Sequence, residues 1–351
     1  MFEEIETPAV LVDLDIVERN IARFQEHCTK TGIAARPHIK THKLPDLARR
    51  QVEAGAVGIT CQKVGEAEVM ADGGLDDIFI TYNILGESKV QRLAALARRI
   101  RMSVVADNPT VVDGLSKGFA NEPAPLPVLV ECDTGAGRCG VQSPGDALEL
   151  AKRIHAAPGL ELGGLMTFPP MKDEARVDAW LTEARGLLLA EGLPCPRVSS
   201  GGTPNMWRSG DVPTATEHRA GTYIYNDRSL VEGGVCGPAD CALTVMSTVV
   251  SRPTDTRGIL DAGSKVLTTD LFGLTGHGLI ATAPTAAVAG LSEEHGILDL
   301  SKSNWRPGVG ARVRVIPNHA CVVTNMMDRL YFIRGDKVEA EIEVAARGKV
   351  T

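Results

Sequence analysis

Short runs of aliphatic and β-branched residues alternate with longer stretches in which apolar side chains recur every three or four positions, and the rhythm holds from the first residues to about Tyr223. After Ala9-Val10-Leu11-Val12-Asp13, a one-faced helical pattern opens near Ile16 and stops at Gly32. Apolar strand candidates then end at Lys40, Gln62, Asn83, Asp107, Asp133, Phe168, Ser200 and Tyr223, eight in all. The seven segments between them are long enough for crossover connections, and several carry an apolar stripe, as with Val177, Trp180, Leu181, Ala184 and Leu188. The weakest helical pattern of the seven lies around Pro204 to Pro213. Strands alternating with helices imply parallel β-α units, and eight such units predict an α/β fold built on a closed (β/α)8 TIM-type barrel.

From about Val231 the rhythm changes to β-prone stretches separated by glycine, at 243–250, 258–262, 286–291, 311–316 and 330–334. The barrel is therefore expected to be followed by a mostly β C-terminal domain, with Gly233-Gly234-Val235-Cys236-Gly237-Pro238 breaking both periodicities at the junction. The expected domains are 1–231 and 232–351, with residues 1–15 pairing back onto the second.

Composition narrows the function classes. With 351 residues, 44% hydrophobic and 23% charged, the chain can bury a large core, and a net charge of -7 without a basic tract argues against nucleic-acid and membrane-surface partners. The acidic start lacks the basic and apolar regions of a signal peptide, and no apolar run approaches a membrane span. Eight dispersed cysteines, with no Cys-x-x-Cys pair, read as reduced thiols of a cytoplasmic protein.

In a barrel of this kind the active site lies at the C-terminal ends of the strands, and the polar residues gather there. The first strand runs into Arg36-Pro37-His38-Ile39-Lys40-Thr41-His42-Lys43. A lysine amine is nucleophilic only when deprotonated, and neighbouring positive charge or burial lowers its pKa. Lys40 is thus a candidate Schiff-base residue, with a solvated basic turn as the alternative. Strand two delivers Gln62 and Lys63, and strand three Tyr82 and Asn83. Strand five carries Glu131 and Asp133 on one face, opposite Cys132, with a barrel-interior ion pair the expected role of Glu131. It leads into Gly135-Ala136-Gly137-Arg138-Cys139-Gly140, where the flanking glycines let the Arg138 guanidinium approach a ligand.

Strand seven ends in Ser199-Ser200-Gly201-Gly202-Thr203, and strand eight in Ala220-Gly221-Thr222-Tyr223. Glycine-rich loops at these two positions are a recurrent phosphate site, because backbone N–H groups aim at the anion. A lysine at strand one and a phosphate cradle at strands seven and eight suggest one cofactor spanning the mouth. Pyridoxal 5'-phosphate fits, with an aldehyde for the lysine, a phosphate for the cradle and a ring that accepts electrons. A sugar phosphate on a Schiff-base aldolase is the rival, and it explains the second domain less well.

The second domain has one conspicuous motif, Val315-Ile316-Pro317-Asn318-His319-Ala320-Cys321. In extended conformation His319 and Cys321 project to one side, where imidazole and thiolate could share a divalent metal, zinc by softness or manganese. A packed cysteine beside a surface histidine is the alternative, since a lone His-x-Cys is a poor metal motif. Asp261, Glu294 and His295 are expected to play supporting or structural parts.

As an ordered set, Arg36 to Lys43, Cys61-Gln62-Lys63, Gly137 to Val141, Gly201-Gly202-Thr203, Asp261 to Lys265, Glu294-His295-Gly296 and Pro317 to Cys321 resemble the D-threonine aldolase and D-serine dehydratase family. The resemblance covers nearly the whole chain. It implies an alanine-racemase-like pyridoxal-phosphate enzyme of barrel and β domain, usually a homodimer, acting on small D-amino acids. It further implies that Lys40 carries the cofactor, that Arg138 contacts the pyridine nitrogen, and that His319 and Cys321 bind the metal. Phosphate contacts map to Gly202, Thr203, Gly221 and Thr222, with His38, Gln62, Gly201 and Tyr223 beside them in the cofactor set. The chain departs from the family after strand six, where Phe168-Pro169-Pro170 replaces a tyrosine followed by histidine-containing sequence.

Two outcomes are open to a D-3-hydroxy amino acid at such a site. A metal that binds the 3-hydroxyl favours retro-aldol cleavage to glycine and an aldehyde, the expected reaction; removal of the α-proton by Lys40 with loss of hydroxide instead yields a keto acid and ammonia. Cys321 leans toward the second, since some aldolases have aspartate there. A racemase without metal and a non-catalytic cofactor-binding protein complete the alternatives.

Overall fold

Several strands in the first part of the chain have no polar face. Ile78-Phe79-Ile80 and Val128-Leu129-Val130 are fully buried, as expected of parallel strands covered on one side by helices and on the other by a barrel interior. The computed structural model describes residues 2–351 and divides into two compact units. One comprises Arg23–Lys40, Leu44–Gly221 and Lys349–Thr351; the other holds the chain up to Ala22, Thr41–Lys43 and Thr222–Gly348.

The N-terminal strand β1 (Ala9–Asp13) belongs to the second of these and leads into helix α1 (Leu14–Thr31). The barrel unit follows with β2 (Ala34–Ala35), β3 (Ile59–Cys61), β4 (Asp77–Asn83), β5 (Arg101–Ala106), β6 (Leu126–Cys132), β7 (Leu160–Thr167), β8 (Arg197–Ser200) and β9 (Glu217–His218). These eight form one parallel sheet in the order β2-β9-β8-β7-β6-β5-β4-β3. A parallel bridge from His38 to Thr60 joins its two edges, so the barrel closes as eight β-α units require.

Helices α2 (Pro45–Glu53), α3 (Val64–Asp72), α4 (Glu87–Ala97), α5 (Pro109–Phe119), α6 (Pro144–Ala156) and α7 (Glu174–Ala190) fill the crossovers. Proline at the first turn and a side-chain cap start two of them: Asn108 accepts from the Val111 N–H, and Ser143 from the Asp146 N–H. The stripe expected on α7 is buried at Val177, Leu181, Ala184 and Leu188, while Trp180 is half-buried. Between β8 and β9, where the helical pattern is weakest, the chain makes a kinked 3₁₀ segment, Thr203–Asp211. Phe79, Val105, Leu129 and Met166 pack together as a core cluster of this unit.

In the other unit, α8 (Arg228–Glu232) precedes β10 (Leu243–Thr254), β11 (Arg257–Leu260), α9 (Ser264–Leu267), β12 (Gly278–Leu279), β13 (Ala287–Leu291), β14 (Gly296–Asp299), β15 (Arg312–Pro317), α10 (Ala320–Met326), β16 (Arg329–Arg334) and β17 (Lys337–Glu343). They make a nine-stranded sheet ordered β11-β14-β13-β12-β15-β10-β1-β16-β17. Strand β1 is interior to this sheet, antiparallel to β10 with Val10 opposite Val245 and parallel to β16 with Leu11 opposite Tyr331. Its inward residues Ala9 and Leu11 join Phe2, Ile5, Met246 and Ile333 in a core cluster. No helix among the described residues is long and apolar enough to cross a membrane.

Candidate active site

Beyond Ala35, Pro37 blocks further regular strand pairing, and the chain passes through the His38 bridge into a single 3₁₀ turn, Ile39–Thr41. Lys40 sits in this turn, half-buried, and among the described residues no carboxylate pairs with its amine. The backbone N–H of Lys40 donates to His38 Nδ1 at 3.3 Å. That nitrogen is therefore the acceptor, so the ring is neutral and its proton resides on Nε2, which donates to Gln62 Oε1 at 3.0 Å. Gln62 in turn donates through Nε2 to the Thr81 carbonyl at 3.0 Å, and its own N–H is held by Glu66 at 2.8 Å. His38 and Gln62 thus form a relay that fixes the Lys40 turn against the ends of β3 and β4.

Arg36 contributes less to the environment of Lys40 than its place in the sequence suggests. Its guanidinium turns into the barrel, with Nε 2.8 Å from Glu217 and Nη1 2.6 Å from Asp77. Lys63 lies with its amine 3.6 Å from the centre of the Tyr82 ring, a cation–π contact at the ends of β3 and β4.

The Arg138 loop is shaped by two carboxylates. Asp133 accepts from the N–H groups of Gly135 and Gly137 at 2.9 and 3.1 Å, and Asp107 from that of Gly140 at 3.0 Å. Gly140 has φ +123 and a Cβ there would meet the Asp133 nitrogen at 2.3 Å, so this turn needs glycine. Arg138 is exposed, its guanidinium 4.4 Å from the centre of the Phe168 ring. Phe168 stands where the family resemblance leads one to expect a tyrosine, and it supplies a π face to the cation. Glu131 is buried, and burial, with the charge of Asp107, pushes its carboxyl up to about 7 against the opposing pull of Arg138 and Arg219. The expected interior ion pair falls instead to Glu217 with Arg36.

Gly201, Gly202 and Thr203 are buried at the end of β8, and Gly221 ends the barrel unit. Thr203 Oγ1 accepts from the Gly221 N–H at 3.1 Å, which ties the two loops together. Gly201 has φ +98 and presses its Cα against the His218 ring, where a Cβ would lie 2.1 Å from Cε1. Backbone donors, one lysine amine and one guanidinium at the strand ends are the donor set that a phosphorylated aldehyde cofactor needs.

The remaining predicted residues belong to the other compact unit. Thr222 and Tyr223 lie in a 3₁₀ turn, Thr222–Ile224, with Tyr223 buried. His319 and Cys321 are not on an extended strand, contrary to the sequence expectation. Strand β15 ends at Pro317, the buried Asn318 amide donates to the carbonyls of Asp270 and Gly276, and the chain turns into α10. His319 is its N-cap residue and Asp227 Oδ2 accepts from the Ala320 N–H at 3.1 Å, so Cys321 stands in the first turn of a helix.

The pair nonetheless meets. Asp270 Oδ2 lies 2.6 Å from His319 Nδ1, and the same imidazole is hydrogen-bonded to the Cys321 side chain. Burial disfavours the imidazolium, but the hydrogen bond and charge of Cys321, followed by the bond to Asp270, raise His319 to about 9. A position between thiolate and imidazole that so favours positive charge suits a divalent cation, with Asp270 orienting the ring from behind. Thr41 Oγ1 is 3.1 Å from Cys321 Sγ and Thr222 Oγ1 is 3.5 Å from it. The Tyr225 hydroxyl, fully buried and without a hydrogen-bond partner, is pushed upward by burial and by the Cys321 charge. Among the described residues no group of three or more histidine, cysteine, aspartate or glutamate side chains is arranged to hold a metal ion.

Sequence reasoning missed Asp270, Asp227 and His218, none of which belongs to a recognisable spacing. Two of the residues expected in supporting parts have partners within the protein. Asp261 accepts from Thr7, Ser247 and the Thr248 N–H, and Glu294 forms an exposed ion pair with Lys265 at 2.6 Å.

The alanine racemase N-terminal domain family matches residues 12–229, and a putative serine dehydratase domain matches residues 242–333. D-threonine aldolase from Arthrobacter is 33% identical over 98% of this chain and 93% of its own length. The crystal structure of D-threonine aldolase from Filomicrobium marinum superposes with a TM-score of 0.92 at 30% identity, covering 100% of this chain and 98% of that one. A cysteine-to-alanine mutant of D-threo-3-hydroxyaspartate dehydratase, solved in a metal-free form, gives 0.87 at 28% identity over 97% of both chains. With both halves matched in order and relatives aligned nearly end to end, the chain belongs to the D-threonine aldolase and D-serine dehydratase family, alanine-racemase-like pyridoxal-phosphate-dependent lyases.

Proposed function

We propose that this protein is a metal-assisted D-threonine aldolase, cleaving a D-3-hydroxy amino acid to glycine and an aldehyde. In the overall reaction the bond between C2 and C3 breaks, the hydroxyl oxygen becomes the aldehyde carbonyl, and its proton ends on the glycine α-carbon. When bound, pyridoxal phosphate supplies an aldehyde for amines and a ring that accepts the electrons of the broken bond, while zinc or manganese acidifies the 3-hydroxyl.

The chain's own residues divide the remaining tasks. Lys40 would hold the cofactor covalently through its amine, and the His38–Gln62 relay keeps that amine's turn in one conformation. Gly201, Gly202, Thr203 and Gly221 would hold the phosphate, and the family resemblance adds Thr222 and Tyr223 to the cofactor set. Arg138 would face the pyridine nitrogen; a guanidinium only donates, so it would favour an unprotonated ring and make help at C3 valuable. His319 and Cys321 would hold the metal, and Asp270, 2.6 Å from His319 Nδ1, would orient the ring for it.

The observation that carries this reading is the pairing of His319 with Cys321 by a side-chain hydrogen bond, the ring held by Asp270 at 2.6 Å from Nδ1. A racemase has no need of that pair. Cysteine at 321 also suits the dehydratase outcome, in which Lys40 takes the α-proton. The reading includes a homodimer, which the family resemblance implies, and a cytoplasmic location, with which the eight free cysteines agree.

The test is product analysis with D-threonine, D-serine and D-3-hydroxyaspartate, before and after verified metal removal. Glycine and acetaldehyde from D-threonine, lost on chelation and restored by zinc or manganese, are expected. Keto acid and ammonia as the main products would reassign the enzyme as a dehydratase, and undiminished turnover without metal would remove His319 and Cys321 from the mechanism.

A further inference from the structure

Along β9 the side chains alternate between the barrel interior and the helix layer. Glu217 and Arg219 turn inward, to Arg36 and to Ser199. His218 lies between them and turns outward, its ring edge-on to Phe24 of α1 with centroids 5.9 Å apart. From there its Nε2 reaches the Gly202 carbonyl at 3.1 Å. A carbonyl can only accept, so Nε2 carries the ring proton. Full burial holds the imidazole down to about 4, so it is neutral at ordinary pH. The same ring is the surface against which Gly201 is pressed, with no room for a Cβ.

One peptide links the Gly202 carbonyl to the Thr203 N–H, and in a trans peptide these two groups point to opposite sides. A carbonyl drawn outward toward the helix layer therefore turns the Thr203 N–H inward, to the side of the barrel axis. We infer that His218 is the positioning residue of the phosphate cradle, setting the orientation of the Gly202–Thr203 peptide through its bond to the Gly202 carbonyl. The inference rests on the reading of Gly201–Thr203 as the phosphate site. His218 itself does not touch the cofactor.

The discriminating quantity is the ratio of affinities of the cofactor-free protein for pyridoxal phosphate and for pyridoxal, which lacks only the phosphate. Three variants read it. In His218→Gln the side-chain amide reaches about as far as Nε2 and restores the donor, whereas in His218→Asn it stops short of the carbonyl. His218→Leu leaves the carbonyl buried and unpaired. Both ligands are titrated by absorbance and by quenching of intrinsic fluorescence. Asn and Leu are expected to lower the phosphate-dependent preference about tenfold or more, with pyridoxal binding changed less than about twofold and Gln close to wild type. If Leu does not fold, the Gln and Asn pair still decides. Equal weakening of both ligands, or identical behaviour of Gln and Asn, overturns the role of His218. A wild-type protein that binds pyridoxal phosphate no better than pyridoxal overturns the phosphate site itself, a failure visible before any variant is made.

Discussion

Replacing Glu217 by glutamine should destabilise the barrel by several kcal/mol while preserving the shape of the side chain. Glu217 is 3% exposed; it accepts from Arg36 Nε at 2.8 Å and from Ser199 Oγ at 2.5 Å, and lies 4.0 Å from Arg197. Ser199 Oγ also accepts from Arg219 Nη1 at 2.5 Å, and Arg36 makes its second ion pair with Asp77 at 2.6 Å. Arg36, Arg197 and Arg219 thus all draw on Glu217, and glutamine leaves Arg36 with Asp77 as its one ion-pair partner. Breaking one partner of a buried ion pair typically costs about 3–5 kcal/mol. For a domain of roughly 200 residues that corresponds to a fall in Tm on the order of 10 °C. Arg36 and Arg197 outweigh burial and hold the Glu217 carboxyl below its ordinary range. The stabilisation is therefore fully present above the unfolded carboxylate pKa of about 4.3 and is lost as pH falls through the lower folded value. Thermal unfolding of wild type and Glu217→Gln, followed by circular dichroism from pH 3.5 to 8, should show a gap that is constant above about pH 5 and narrows below about pH 4. A gap under about 1 kcal/mol, or one that widens in acid, would refute the assignment of Glu217 as the central counterion of the barrel floor.

Asp270→Asn should weaken metal retention about 10- to 100-fold without unfolding the protein, measured by metal content after graded chelation, because His319 loses the carboxylate that orients its ring. Unchanged retention would show that Asp270 does not support the site. Glu131→Gln should behave in the opposite sense to Glu217→Gln, since the Glu131 carboxyl is raised to about 7, chiefly by burial. Stability conferred by the protonated acid is lost as pH rises through that value, so in the cofactor-free protein the variant should gain on wild type between about pH 5 and 8, by on the order of 3 kcal/mol. A difference independent of pH would place the Glu131 carboxylate in a polar setting.

The barrel was legible because its evidence is repetitive. Most of the eight apolar runs ended in polar or glycine residues, and even the weak segment near Pro204 corresponds to a 3₁₀ connection rather than a helix. The β unit was read less completely. Strand β17, Lys-Val-Glu-Ala-Glu-Ile-Glu, alternates strictly but buries none of its side chains, so it lacks the apolar content that marked the other strands. Strands β12 and β14 are only two and four residues long. At the site, residues adjacent in sequence, such as His38 and Lys40, could be read together. Asp270 could not, because 49 positions separate it from His319 and only the fold of the loop after α9 brings them within 2.6 Å. The extended His-x-Cys geometry was the wrong local structure, since the Ala320 N–H is capped from Asp227, 93 positions away.

Covalent trapping tests the central claim most directly. Purified protein supplied with pyridoxal phosphate is reduced with borohydride, digested and mapped by mass spectrometry, in parallel with Lys40→Ala. The account predicts a single phosphopyridoxyl adduct on the peptide containing Lys40 and none in the variant. An adduct on another lysine, or an undiminished yield from Lys40→Ala, would contradict it.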